Sequence, residues 1–161
     1  MRLGHPWPRE PFRVVLDTAG RTPREARFVR AGTAGRAVIA VGAEAPEERL
    51  RELAVSGATI VRCPTRDARI DLGALLAELF AREVRAVLVE GGGEVHAAFL
   101  DAGLVDRVAM FVAPLLVGGR DATPVVGGAG RELKCAAKLG GFAVTALGDD
   151  LLIEADVLRE A

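Results

Sequence analysis

The run Glu90-Gly91-Gly92-Gly93-Glu94-Val95-His96 sets an acid, three glycines, a second acid and a histidine in a row behind the apolar residues Val87–Val89. Glycine loses more backbone freedom on folding than any other residue, so three together need a reason. One reason is a tight turn between packed elements. The other is an anion cradle. Without side chains, successive N–H groups can point at one ligand, and a helix that follows adds the partial positive charge of its N-terminus. The natural guest is a phosphate or pyrophosphate. The run has neither the G-x-G-x-x-G spacing of the dinucleotide fingerprint nor the Lys and Ser/Thr of a P-loop. At this point both readings stay open.

The flanking residues carry paired readings too. Glu90, closing an apolar run, is either an acceptor for a polar ligand or the partner of an arginine. Glu94 falls in the first turn of the expected helix, where the dipole favours an acid. His96 either assists an anion or is a solvated helix residue. Asp17-Thr18 closes an earlier apolar run and either faces a cleft or caps a loop. Other chemistries lack their parts. The only serine, Ser56, lies inside an expected helix, which leaves no serine triad. Cys63 and Cys135 have no zinc spacing and read as small buried hydrophobes.

Elements must position these residues. Apolar runs at Phe12–Asp17, Ala37–Gly42, Ala58–Cys63, Arg85–Glu90 and from Arg107 to a break at Pro114 read as strands. Amphipathic stretches at Ala45–Gly57, Asp71–Glu83 and Gly93–Gly103 read as helices, with Asp71 as an N-cap and Gly57 as a stop. The stretch from Thr18 to Arg36 reads as a long loop, and Phe142–Leu158 as two strands around Gly148-Asp149-Asp150. Strands alternating with helices predict an α/β domain with a mainly parallel sheet, made mixed by the final antiparallel hairpin. In such sheets, ligands bind at the carboxyl ends of the strands, where Thr18 and Glu90–Gly93 fall.

The 161 residues, 50% hydrophobic and 27% charged, fit one domain, residues 1–161, with residues 1–10 as a tail. A net charge of −1 gives no electrostatic case for nucleic acid. No apolar run reaches the ~18–20 residues of a membrane span, and the first residues lack the apolar core of a secretion signal. A reducing cytoplasmic location is expected.

The segment VLVEGGGEVHAAFLDAGLVDRVAMFVAPLLVGG, Val87–Gly119, resembles the reductase domain of bacterial riboflavin biosynthesis proteins, the RibD C-terminal family. FRVVLDTAGRTP and LGDDLLIEADV resemble that family's Asp-ended strand and closing hairpin, so the likeness runs through residues 11–157. The resemblance implies a dihydrofolate-reductase-like fold. It also implies NADPH-dependent reduction of the ribosyl group of a phosphorylated aminopyrimidine to ribityl. Carried over by position, Thr18, Gly91, Gly92, Gly93, Glu94, Val95, His96, Ala97 and Ala98 would hold NADPH, and Glu90 would contact the phosphoribosyl substrate. Arg36, Arg62 and Arg66 are candidates for the 2′-phosphate. No catalytic proton donor can be assigned, and no metal is implied. The family's first strand–helix–strand segment has no counterpart here, which leaves two versions. One is a working reductase. The other is a non-catalytic dinucleotide-binding homologue or assembly subunit. A sheet missing a strand exposes an edge, so self-association is expected.

Overall fold

A computed structural model describes residues 11–30, 36–119 and 121–159. The chain divides into two compact units, Met1–Val87 and Leu88–Ala161. The expected tail, residues 1–10, lies outside the described residues.

The first unit is built on three parallel strands, β1 (Arg13–Leu16), β2 (Ala37–Gly42) and β3 (Thr59–Cys63), in that spatial order. A one-turn helix α1 (Arg27–Arg30) interrupts the stretch expected to be all loop. Helix α2 (Glu47–Val55) makes the crossover from β2 to β3. Strand β2 is central and buried at every position, as an apolar run covered on both faces must be. Its alternate residues feed two cores. Ile39 and Val41 pack with Leu50 and Leu53 of α2, and Val38 and Ala40 with Val61, Leu75 and Leu79. Each fully buried leucine of this kind is worth about 1.5–3 kcal/mol relative to exposure.

The stop and start signals hold. Gly57 takes φ 91° just after α2, a left-handed value that glycine adopts without strain. The Asp71 carboxylate accepts the N–H of Ala74 at 2.9 Å. Between β3 and the next helix lies a small hairpin whose turn no glycine or proline marks in the sequence. It consists of β4 (Thr65–Arg66) and β5 (Arg69–Ile70), paired antiparallel across Asp67-Ala68, both at positive φ. Helix α3 (Leu72–Ala81) follows.

The second unit carries α4 (Gly93–Asp101) and an antiparallel sheet of β6 (Arg107–Val112), β7 (Ala143–Leu147) and β8 (Asp150–Asp156), in the order β6-β8-β7. The predicted closing hairpin is present, with Leu147 opposite Asp150. The parallel and antiparallel pairings form separate ladders.

One expected strand is absent. Arg85–Glu90 has no strand structure, and Leu88 is 77% exposed. A strand exists only where its N–H and C=O groups find a ladder, and none of the described ladders includes this run. No helix among the described residues is long and apolar enough to cross a membrane.

Candidate functional site

Helix α4 begins in the glycine turn. Gly92 is its N-cap, with φ −66° and ψ 174°, and lacks a side chain to satisfy the first amides. The Gly92 carbonyl accepts the N–H groups of Val95 and His96 at 2.9 and 3.2 Å, so the helix is wound from its first turn. Among the described residues no acceptor takes the N–H of Gly92 or Gly93. A Cβ built on Gly92 would meet nothing within 4 Å, so the space beside it is open. Unpartnered amides, an open face and a helix N-terminus fit a phosphate group.

The neighbouring glycine has a different task. A Cβ on Gly93 would lie 2.9 Å from the backbone nitrogen of Gly127 and 3.0 Å from the carbonyl oxygen of Pro124. Glycine is required there for two backbones to meet. In the sequence the stretch around Gly127 shows only clustered glycines. Nothing in one sequence signals that it docks on a turn 34 residues earlier.

Val95 and Ala98 are half-buried on α4, while Ala97 and Phe99 form its buried side. The Glu94 carboxylate accepts the Gly128 N–H at 2.8 Å, and the His96 ring contacts the Val125 carbonyl oxygen through Nδ1 at 2.9 Å. Glu90 is exposed, because the run before it joins no sheet. The ion pair with an arginine that was its alternative is absent among the described residues.

In the first unit, Asp17 is buried and Thr18 half-buried beyond the end of β1. Asp17 caps its own loop, accepting from the N–H and hydroxyl of Thr22 at 2.6 and 2.7 Å. Burial pushes its carboxyl up, but the hydrogen bonds from Thr22 and Arg21 and the nearby Arg21 charge together hold it below the usual carboxylate range. The Thr18 carbonyl accepts the Gly42 N–H at 3.0 Å, which joins the carboxyl ends of β1 and β2.

The three arginine candidates separate. Arg36 lies over the Phe12 ring, 4.9 Å from its centroid, and Arg62 is paired with Glu47. Arg66 is exposed on β4 with no such partner among the described residues. Cys63 is buried as expected, and burial, followed by the charges of Glu78 and Asp71, pushes its thiol up. Cys135 is exposed, contrary to the buried reading, because it sits in a short 3-10 turn that buries no residue. No cluster of metal-binding side chains occurs among the described residues.

Comparison with known proteins places the chain in a family. Residues 2–153 match the model of the RibD C-terminal domain. The chain is 39% identical over 145 residues to the 2,5-diamino-6-ribosylamino-4(3H)-pyrimidinone 5′-phosphate reductase of Methanothermobacter thermautotrophicus, covering 89% of this chain and 65% of that one. It is 31% identical to the riboflavin biosynthesis protein RibD of Actinobacillus pleuropneumoniae, covering 91% of this chain and 39% of the relative. The chain therefore spans less than two thirds of the length of these relatives. Among solved structures, RibD of Acinetobacter baumannii superposes with a TM-score of 0.72 at 23% identity, over 92% of this chain and 38% of that one. The riboflavin biosynthesis reductase Rib7 of Saccharomyces cerevisiae gives 0.69 at 17% identity, over 92% and 70%. These likenesses bear out the mixed α/β, dihydrofolate-reductase-like fold. With its family match running over residues 2–153, the chain belongs to the RibD C-terminal domain family.

Proposed function

We propose that the protein is an NADPH-dependent reductase. It would reduce the ribosyl group of a phosphoribosylaminopyrimidine to ribityl, a step of riboflavin biosynthesis. The observation that carries this reading is the glycine turn, with its unpartnered amides at Gly92 and Gly93 and its open face, inside a family match over residues 2–153. The related protein of M. thermautotrophicus is named for reduction of such a pyrimidinone phosphate.

In this reading the dinucleotide phosphates sit at the unpartnered amides of Gly92 and Gly93, beside Gly91 and against the first turn of α4. Glu90, exposed immediately before the glycines, is free to accept hydrogen bonds from the sugar phosphate's hydroxyls. A bound dinucleotide supplies hydride, and the protein contributes orientation. The free thiols of Cys63 and Cys135 suit a reducing cytoplasm.

We also infer self-association. On one face of the antiparallel sheet the register gathers Val108, Met110, Val112, Val144, Ala146, Leu151, Ile153 and Ala155, all apolar. Val112, Val144 and Leu151 of this set are 45%, 58% and 40% exposed. A second copy of the chain is the partner such a face would cover itself with.

The decisive experiment is calorimetric titration of the chain with NADPH and NADH, followed by substrate-dependent loss of NADPH absorbance. Saturable binding with turnover supports the reductase. Binding without turnover supports the non-catalytic dinucleotide-binding homologue. No binding sinks both.

A further inference from the structure

The loop around Pro124–Gly128 is tied to the first turn of α4 at three points. The Gly127 N–H donates to the Gly93 carbonyl at 2.9 Å, and the Gly128 N–H donates to Glu94 Oε1 at 2.8 Å. His96 Nδ1 lies 2.9 Å from the Val125 carbonyl oxygen. A carbonyl only accepts, so Nδ1 carries the proton in this contact.

Glu94 poses a physical problem for a phosphate site. A carboxylate in the first turn of a helix competes with a phosphate for the same positive end and repels it. In the structure one carboxylate oxygen is engaged by the Gly128 amide of the neighbouring loop. The glycines show the same division of labour. A Cβ on Gly127 would lie 2.9 Å from Glu94 Oε1 and 3.0 Å from the Gly93 carbonyl carbon, so Gly93 and Gly127 serve the contact between loop and turn. Gly92, with nothing within 4 Å, is left to the guest.

We propose that Glu94 is a positioning residue, not a cofactor ligand: its carboxylate latches the Pro124–Gly128 loop onto the glycine turn, so that the loop forms the second wall of the phosphate cradle, with His96 fastening the loop at Val125. This rests on the dinucleotide reading of the turn. A fixed loop presents its wall without an ordering cost when the ligand arrives.

The test uses the full chain with Glu94→Gln, Glu94→Ala and Gly127→Ala. It measures NADPH affinity by calorimetry and hydrogen exchange across residues 124–128 by mass spectrometry. Gln keeps a carbonyl acceptor, so Glu94→Gln should bind NADPH within about threefold of wild type, with the loop still protected. Glu94→Ala should lose about tenfold or more in affinity, with faster exchange in the loop. Gly127→Ala should reproduce the Glu94→Ala result with the carboxylate still present. Wild-type affinity in Glu94→Ala overturns the proposal. So does an equal affinity loss in Gln and Ala with an unchanged loop, because the carboxylate would then act on the ligand directly. If the wild-type chain binds no NADPH, the dinucleotide reading and the second-wall role fall together. The exchange contrast in the free protein still shows whether the latch exists.

Discussion

The N–H of Gly127 donates to the carbonyl of Gly93 at 2.9 Å, and the two backbones are so close that a methyl on Gly93 would reach the same nitrogen at 2.9 Å. Gly92, one residue earlier, has open space on its outer side. Substitutions at these neighbours should therefore fail in different ways. Gly92→Val meets no clash and keeps an ordinary φ, so its urea midpoint should stay near wild type while NADPH affinity collapses. Gly93→Ala should cost about 1–3 kcal/mol of stability, the usual range for overpacking. Unchanged NADPH affinity in Gly92→Val would return the glycines to a purely structural turn.

Glu90 is exposed and unpaired among the described residues, so its removal should leave the fold intact, within about 0.5 kcal/mol. Its proposed partner is the sugar phosphate. Glu90→Gln should then lower kcat/KM for the pyrimidine substrate by about tenfold, one charge-assisted hydrogen bond, and leave the NADPH dissociation constant unchanged. Equal losses for substrate and cofactor would remove that role.

Much of the fold was legible because its signals are local. Leu50, Leu53 and the stop at Gly57 marked α2, Asp71 marked the start of α3, and the hairpin around Gly148-Asp149-Asp150 lay in plain sequence. The failures are non-local. Arg85–Glu90 has the composition of a strand, but pairing makes a strand, and pairing depends on what lies beside it. The β4-β5 turn escaped because Asp67-Ala68 carries no glycine, although both residues sit at positive φ. Within the site, Gly91–Gly93 stood out as a run, whereas the contact from Gly127 and Gly128 required the folded chain.

Asp17 gives a pH prediction with a definite sign. Burial would raise its carboxyl, and the bonds from Thr22 and Arg21 more than offset that, leaving it lowered. A group whose folded-state pKa is depressed contributes stability above its unfolded pKa of about 3.9, and loses it as pH falls through the folded value. Asp17→Asn should therefore be less stable than wild type at neutral pH by up to about 1.5–3 kcal/mol, the range for a hydrogen bond to a charged group. The difference should hold down to about pH 5 and close below about pH 4. Urea denaturation of both proteins across this range checks it. A gap that widens with acid would reverse the sign and remove the carboxylate as the cause.

The apolar sheet face tests self-association directly. Val112 and Val144 lie on the same face, opposite Leu151 and Ile153 of β8 respectively, and both remain substantially exposed. Lysine at both positions can extend its charged end into water in an isolated chain, so the monomer should still fold. Between two copies, the same charges would be buried without partners. The wild-type chain should run as a dimer in light scattering at micromolar concentration, and Val112→Lys/Val144→Lys as a monomer with unchanged circular dichroism. A wild-type chain that stays monomeric on concentration removes the self-association. A double variant that stays dimeric moves the interface elsewhere on the molecule.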